Sequence, residues 1–249
     1  ALTTGGQNTA VGFEALNAED TGYTATAIGF RALKSQDAGN SYNTAVGHTA
    51  GINVTSGVQN TIIGGEAGDA IISGSFNNLI GVSAGGAITV GRYNVANGHG
   101  ALSTNILTDG NVAIGYQALQ SFVGDGSTNN QSANNTAVGY SAGKAMTSGT
   151  ANTFIGSEAG DALTTGTGNT AVGYQALSAE DAHGRNTAVG YHALLVQDAG
   201  ADAYNTVVGY QAGLAIDTGI RNSILGYAAK ALTTGSENVA IGYLTMNAG

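Results

Sequence analysis

The sequence predicts an all-β chain folded as a parallel β-solenoid of about fourteen coils, each about 17 residues around. Three observations carry this. One short sentence, Asn-Thr-Ala-Val-Gly-Tyr-x-Ala-Leu/Gly, recurs along all 249 residues. The chain holds 41 Gly and no Pro, where average usage would place about twelve prolines; a backbone that excludes proline is one whose amides must donate almost everywhere. Within each copy the apolar positions alternate, which is strand periodicity, and a helix would tolerate its recurrent glycines only at ~1 kcal/mol each.

The repeat comes first because a short period decides the fold. First positions fall at Asn8, Ala25, Asn43, Asn60, Asn77, Asn94, Asn111, Asn135, Asn152, Asn169, Asn186, Asn205, Asn222 and Asn238. Nine of the thirteen spacings are 17 residues and the others are 16, 18, 19 and 24. A coil of fixed circumference behaves this way, with extra residues pushed outward as loops. The 24-residue spacing contains the polar run 124–131, so residues 120–134 are expected to form an inserted loop on a single solenoid domain spanning 1–249.

Within a coil, positions 2 and 4 share one side of the strand and position 3 the other. Val or Ile at position 4 is expected to face the interior, with position 2 beside it (Val95, Val112 and Val239 fit) and the usual Ala of position 3 turned outward. Position 5 is Gly in every copy, the mark of a corner with positive φ or of a backbone too crowded for a Cβ. At ~3.3 Å per residue a coil has a contour of roughly 55 Å, enough for about three short sides; fourteen coils at ~4.8 Å make a rod on the order of 65 Å long.

Positions 9 and 12 vary together. Six copies read Ala-Leu at positions 8 and 9 (Leu16, Leu33, Leu102, Leu119, Leu177, Leu194), and six read Ala-Gly. All six Ala-Gly copies carry an apolar residue at position 12 (Val54, Ile71, Ile88, Met146, Leu163, Ile216), whereas five of the six Ala-Leu copies are polar there, Phe122 being the exception. Interiors tolerate neither a void nor an overfill. One large apolar side chain per coil is therefore expected to fill a single core slot, reached from either position.

Composition narrows the function. Without cysteine there is no disulfide framework, thiolate metal site or cysteine nucleophile. A net charge of −9, from 7 Lys+Arg against 16 Asp+Glu, offers no basic patch for nucleic acid or anionic lipid. No apolar run approaches the ~20 residues of a membrane span.

The sequence matches that suggest chemistry dissolve into the repeat. Gly81-Val82-Ser83-Ala84-Gly85 and Gly139-Tyr140-Ser141-Ala142-Gly143 fit the nucleophile-elbow pattern, yet equivalent copies place Glu14, Thr49, Glu66 or Gln117 where the serine stands. His48, His99, His183 and His192 lie on different coils without short metal-ligand spacing, and the acidic pairs such as Glu19-Asp20 and Glu180-Asp181 read as solvated turns rather than a calcium cage. The expectation is a non-enzyme with no cofactor and no metal.

Three rows remain. The Asn row at position 1 reads as an internal hydrogen-bonding ladder. The aromatic row at position 6, including Tyr116, Tyr140, Tyr174, Tyr191, Tyr210, Tyr227 and Tyr243, is the candidate interface or ligand-contact surface. Asp125, Asn129 and Asn130 in the inserted loop are further candidate contacts, because a loop on a rigid scaffold varies without breaking the ladder. The Thr row at position 2 raises an alternative, an ice-binding β-solenoid; one Thr per strand, on the side assigned to the core, counts against it.

Asn-Val-Ala-Ile-Gly-Tyr at 111–116 and 238–243, with Asn-Thr-Ala-Val-Gly-Tyr-x-Ala at 135–142, 169–176 and 186–193, resembles the head repeats of YadA-like trimeric autotransporter adhesins and, equally, the repeats of phage-type tail fibres. The resemblance covers the whole chain. It implies a left-handed parallel β-roll, three chains side by side in a homotrimer, and an extracellular fibre on a cell surface or virion. Such a fibre attaches to a host receptor, glycan or matrix, and this chain would be one section of it.

Overall fold

The structure, a computed structural model, describes residues 4–124, 132–179 and 182–247. It is a parallel β-solenoid, without a helix among the described residues, and falls into two compact units, Ala1–Ala133 and Asn134–Gly249. The first unit contains β1 (Thr9–Val11), β2 (Thr26–Ile28), β3 (Thr44–Val46), β4 (Thr61–Ile63), β5 (Asn78–Ile80), β6 (Val95–Asn97) and β7 (Val112–Ile114). The second contains β8 (Thr136–Val138), β9 (Thr153–Ile155), β10 (Thr170–Val172), β11 (Thr187–Val189), β12 (Thr206–Val208), β13 (Ser223–Leu225) and β14 (Val239–Ile241). In each unit every strand pairs in parallel with the next in sequence, and like positions face each other: Thr26 opposite Thr44, Thr170 opposite Thr187.

Each coil has one three-residue strand, not the three short sides its contour allows. The remainder turns through left-handed backbone. In nearly every coil the residue before Asn, position 7 and position 9 take left-handed φ, 58° at Gln59, 58° at Glu66 and 47° at Leu33. These turns still hydrogen-bond from coil to coil: Leu33 N–H donates to Ala50 O, Gly51 to Ala67 O, and Ile72 to Thr89 O. The ladder therefore runs around most of the coil, which is why proline finds no place in it.

The interior reverses the expected facing. Position 3 points inward and positions 2 and 4 point out. Ala27, Ala45, Ala96, Ala113, Ala137, Ala171 and Ala188 are fully buried, while Val11, Ile28, Ile63, Ile114 and Ile155 at position 4 are among the exposed large hydrophobics. The cause is the tightness of the coil. The left-handed turns draw the chain close around its own axis, and the strand side of so thin an interior usually has room only for a methyl group.

With that orientation the core slot is shared by three positions. Leu at position 9 and aliphatics at position 12 are buried, as expected. A large position-3 residue (Ile62, Leu79, Phe154 or Val207) occurs in Ala-Gly copies, and all six Ala-Leu copies have Ala there. The reason is volume: a Cβ on Gly68 would stand 2.8 Å from Leu79 Cδ1 and 2.9 Å from Ile71 Cδ1. A leucine at position 9 accepts left-handed backbone, a strain of about 1–2 kcal/mol, which burial of its side chain, about 1.5–3 kcal/mol, offsets.

Most polar groups inside are bonded, Asn186 Nδ2, His192 Nε2 and Thr245 Oγ1 being buried without a hydrogen-bond partner. Most of the Asn row is buried and closes its coils: Asn43 Nδ2 donates to Gly57 O at 2.7 Å and Asn152 Nδ2 to Gly166 O at 2.8 Å. Glu19, read from sequence as part of a solvated turn, is instead fully buried, accepting from Gly22 N–H at 2.6 Å and from Gln36 Nε2 at 3.0 Å. Gln36 and Gln197, also at position 12, are buried as well and accept from Asn43 and Asn205, each at 2.7 Å. Position 12 thus faces the interior in both kinds of copy, carrying an apolar side chain where position 9 is Gly and, in the described Ala-Leu copies other than that of Phe122, a hydrogen-bonded polar one, with Gln36 and Gln197 bonding the Asn row. Asp37, Asp198 and Asp202 are exposed, as solvated turns should be.

Candidate interaction surface

The outward positions are the residue before Asn, then positions 2, 4 and 6. They form parallel columns within each unit because every coil repeats them in register. No ionisable side chain occupies position 2 or 4 of any copy. The columns are Thr with a few Val, Asn and Ser at position 2, and Val, Ile, Leu and one Asn at position 4.

The position-6 rings stack face to face. In the second unit, centroids are 5.4 Å apart for Tyr174 and Tyr191, 5.2 Å for Tyr191 and Tyr210, 5.9 Å for Tyr210 and Tyr227, and 5.4 Å for Tyr227 and Tyr243. In the first, Phe13, Phe30 and His48 stack, and His99 stacks on Tyr116 at 5.5 Å. Tyr116, Tyr140, Tyr174, Tyr191, Tyr210 and Tyr243 remain exposed and Tyr227 is half-buried, its hydroxyl 2.7 Å from Lys230 Nζ. Between stacked neighbours the ring faces are spent on each other. The column therefore presents ring edges and hydroxyls outward.

A second aromatic column went unnoticed in the sequence. Tyr42, Phe76, Tyr93 and Tyr204 stand immediately before the Asn and are exposed; Phe76 and Tyr93 stack at 5.0 Å. It is sparse and its members hold left-handed backbone, so neither frequency nor propensity marks them. The facing of position 3 did have a legible signal: of its five large residues, Ile62, Leu79, Phe154 and Val207 fall in Ala-Gly copies and Ile224 in a copy with Lys230 at position 9, so none shares a copy with a position-9 Leu, as residues competing for one core slot would not.

At β12–β14 the outward face of the second unit forms a shallow depression of about 290 Å³, lined mainly by Thr206, Val208, Ser223, Leu225, Val239 and Ile241. Asp125, Asn129 and Asn130 lie outside the described residues, as do Glu180 and Asp181.

Charges keep to the turn positions. Glu14 accepts from Arg31 and Lys34, each at 2.8 Å, and the Lys34 hydrogen bond leads in holding its carboxyl below the usual range. Glu66 with Asp69, and Glu158 with Asp161, repeat one acidic pair. Burial pushes Asp69 and Asp161 up, with the neighbouring glutamate adding to it; Ser178 opposes the shift at Asp161 by donating to Oδ1 at 2.6 Å.

The serines of the two elbow-like matches, Ser83 and Ser141, sit at position 7 of ordinary coils, in the same left-handed conformation as Glu66 and Glu158. His48, His99 and His192 belong to the ring stacks, and no three His, Asp or Glu side chains converge among the described residues. Comparison with family models, with curated proteins and with solved structures gave no match.

Proposed function

We propose that this chain is a non-enzymatic structural and adhesive segment of an extracellular fibre, of the surface-adhesin or phage tail-fibre kind, with identical copies packed side by side as a homotrimer. The observation that carries the reading is the stacked tyrosine column of the second unit, which leaves Tyr174, Tyr191, Tyr210 and Tyr243 exposed. Exposed apolar surface of this extent marks an association surface, and Tyr is favoured there because it buries a large ring while its hydroxyl stays hydrated. A backbone bonded coil to coil gives the stiffness a fibre section needs. Attachment to a host surface, glycan or matrix is assigned first to the inserted segment 120–134, with Asp125, Asn129 and Asn130.

Light scattering on the purified chain tests the assembly: three times the chain mass is expected, falling to one in Tyr191→Ser/Tyr210→Ser with unchanged circular dichroism. A monodisperse monomer overturns the trimer. Deleting 125–131 should abolish binding to the target surface without altering the melting curve, and unchanged binding would remove that loop from recognition.

A further inference from the structure

We infer that the outward Thr and aliphatic columns form a binding surface for crystalline water, on the second unit above all. The objection from sequence, that Thr shares a side with core residues, disappears because that side faces solvent. Thr136, Thr153, Thr170, Thr187 and Thr206 lie in register along β8–β12, and two residues on from each stands a Val or Ile on the same face.

Four properties fit this ligand. First, the face is periodic in two directions: ~4.8 Å from coil to coil and ~6.6 Å between its two columns. That is a lattice of hydroxyls and methyls on the length scale of the repeats in ice. A protein partner or a small ligand has no need of a lattice, whereas a crystal face requires one. Second, the face is rigid at both levels. Thr, Val and Ile are β-branched with restricted χ1, and the strands beneath are pinned by buried Asn side chains, Asn152 N–H donating to Asn135 Oδ1 at 3.0 Å and Asn169 N–H to Asn152 Oδ1 at 2.9 Å. Preorganisation of this kind removes the ordering cost that binding otherwise incurs. Third, positions 2 and 4 of this block carry no charge, so no ion-bound hydration shell disrupts an ordered water layer. Fourth, each Thr supplies a hydroxyl that continues a water network and a methyl that, with its aliphatic neighbour, confines it.

The inference stands apart from the fibre reading, which rests on the tyrosine column, and one set of measurements separates them. Thermal hysteresis and inhibition of ice recrystallisation are measured on the full chain, with its mass by light scattering in the same buffer. The expected result is hysteresis with faceted ice crystals, lost in Thr153→Tyr/Thr187→Tyr while circular dichroism, melting temperature and mass stay unchanged. Tyr191→Ser/Tyr210→Ser should retain it. No hysteresis and no recrystallisation inhibition from the unmodified chain overturns the inference, whether the chain is a trimer, which leaves the fibre reading intact, or a monomer, which removes the trimer as well. Activity that survives in the folded Thr variant equally overturns this face as the binding surface. If Thr153→Tyr/Thr187→Tyr fails to fold, Thr153→Val/Thr187→Val, which keeps shape and branching, takes its place: reduced hysteresis is expected, and undiminished hysteresis overturns the role of the hydroxyls.

Discussion

The backbone N–H of Asn94 donates to Oδ1 of Asn77 at 3.0 Å, and the Asn94 side-chain amide reaches the same oxygen at 3.2 Å. Asn77 in turn donates to Asn60 Oδ1 at 3.1 Å and to Gly91 O at 2.9 Å, the carbonyl fourteen residues on that brings its own coil round. One amide thus closes a coil and ties it to the coils on either side. These groups are buried, so a lost partner is not replaced by bulk water.

Asn77→Ala should therefore destabilise the chain by about 3 kcal/mol, since it strands the Asn94 N–H and the Gly91 carbonyl at roughly 1–3 kcal/mol each. Urea unfolding measures the total. Because each coil leans chiefly on its neighbours, hydrogen exchange should quicken at Asn94 far more than at Thr26.

The shared core slot predicts coupling between positions 3 and 9. A Cβ on Gly85 would meet Leu79 Cδ1 at 2.9 Å and Cδ2 at 2.8 Å, so Gly85→Ala should cost about 1–3 kcal/mol by overpacking and Leu79→Ala about 2–5 kcal/mol by leaving a cavity. The double variant should be less destabilised than the sum of the two, and a double-mutant cycle reads the difference. Strict additivity would mean that the two sites do not share a volume.

Gly173 marks the corner after β10, with φ +137° and the Gly190 carbonyl where a Cβ would have to sit. Gly173→Ala should cost about 3 kcal/mol or more, combining backbone strain with a clash against a group that cannot swing aside. The non-glycine left-handed site Gln175 should accept Ala at a smaller cost of about 1–2 kcal/mol, because its backbone already carries a Cβ and the loss is confined to the hydrogen bond its side chain donates to Glu158 Oε2 at 2.7 Å.

Asp161 predicts an inverted acid response. Its folded carboxyl is raised, so the folded state holds the proton more tightly than the unfolded chain does. Its contribution to stability is full below the ordinary aspartate range near pH 4, and is lost as pH rises through the elevated folded value; Asp69 acts in the same sense. Glu14, held low by Lys34 and Arg31, acts oppositely and loses its contribution as pH falls through its depressed value. Asp161→Asn should be at least as stable as the parent at neutral pH, and its advantage should shrink on acidification, read from urea midpoints across the carboxylate range.

Much of this protein was legible in order. The 17-residue period, the glycine corners and the hydrogen-bonding Asn row follow from spacing and composition alone, because a coil of fixed girth must return the same chemistry to the same place. The complementarity of Leu33-type and Ile71-type copies was legible too, since a packed interior records its volume in covarying residues. Facing was not. Thr-Ala-Val places its small residue between two larger ones, and hydrophobicity ranks Val above Ala for the interior.

Only the tertiary structure decided that Ala27 lies inside and Ile28 outside. Left-handed turns at residues such as Gln59, Glu66 and Leu33, which propensity argues against, narrow the coil until its strand side usually admits no more than a methyl group. Sequence by itself determined how often the chain returns. The three-dimensional packing determined which side of each strand the core could hold, and with it which columns, the Thr and Val/Ile rows among them, stand in water.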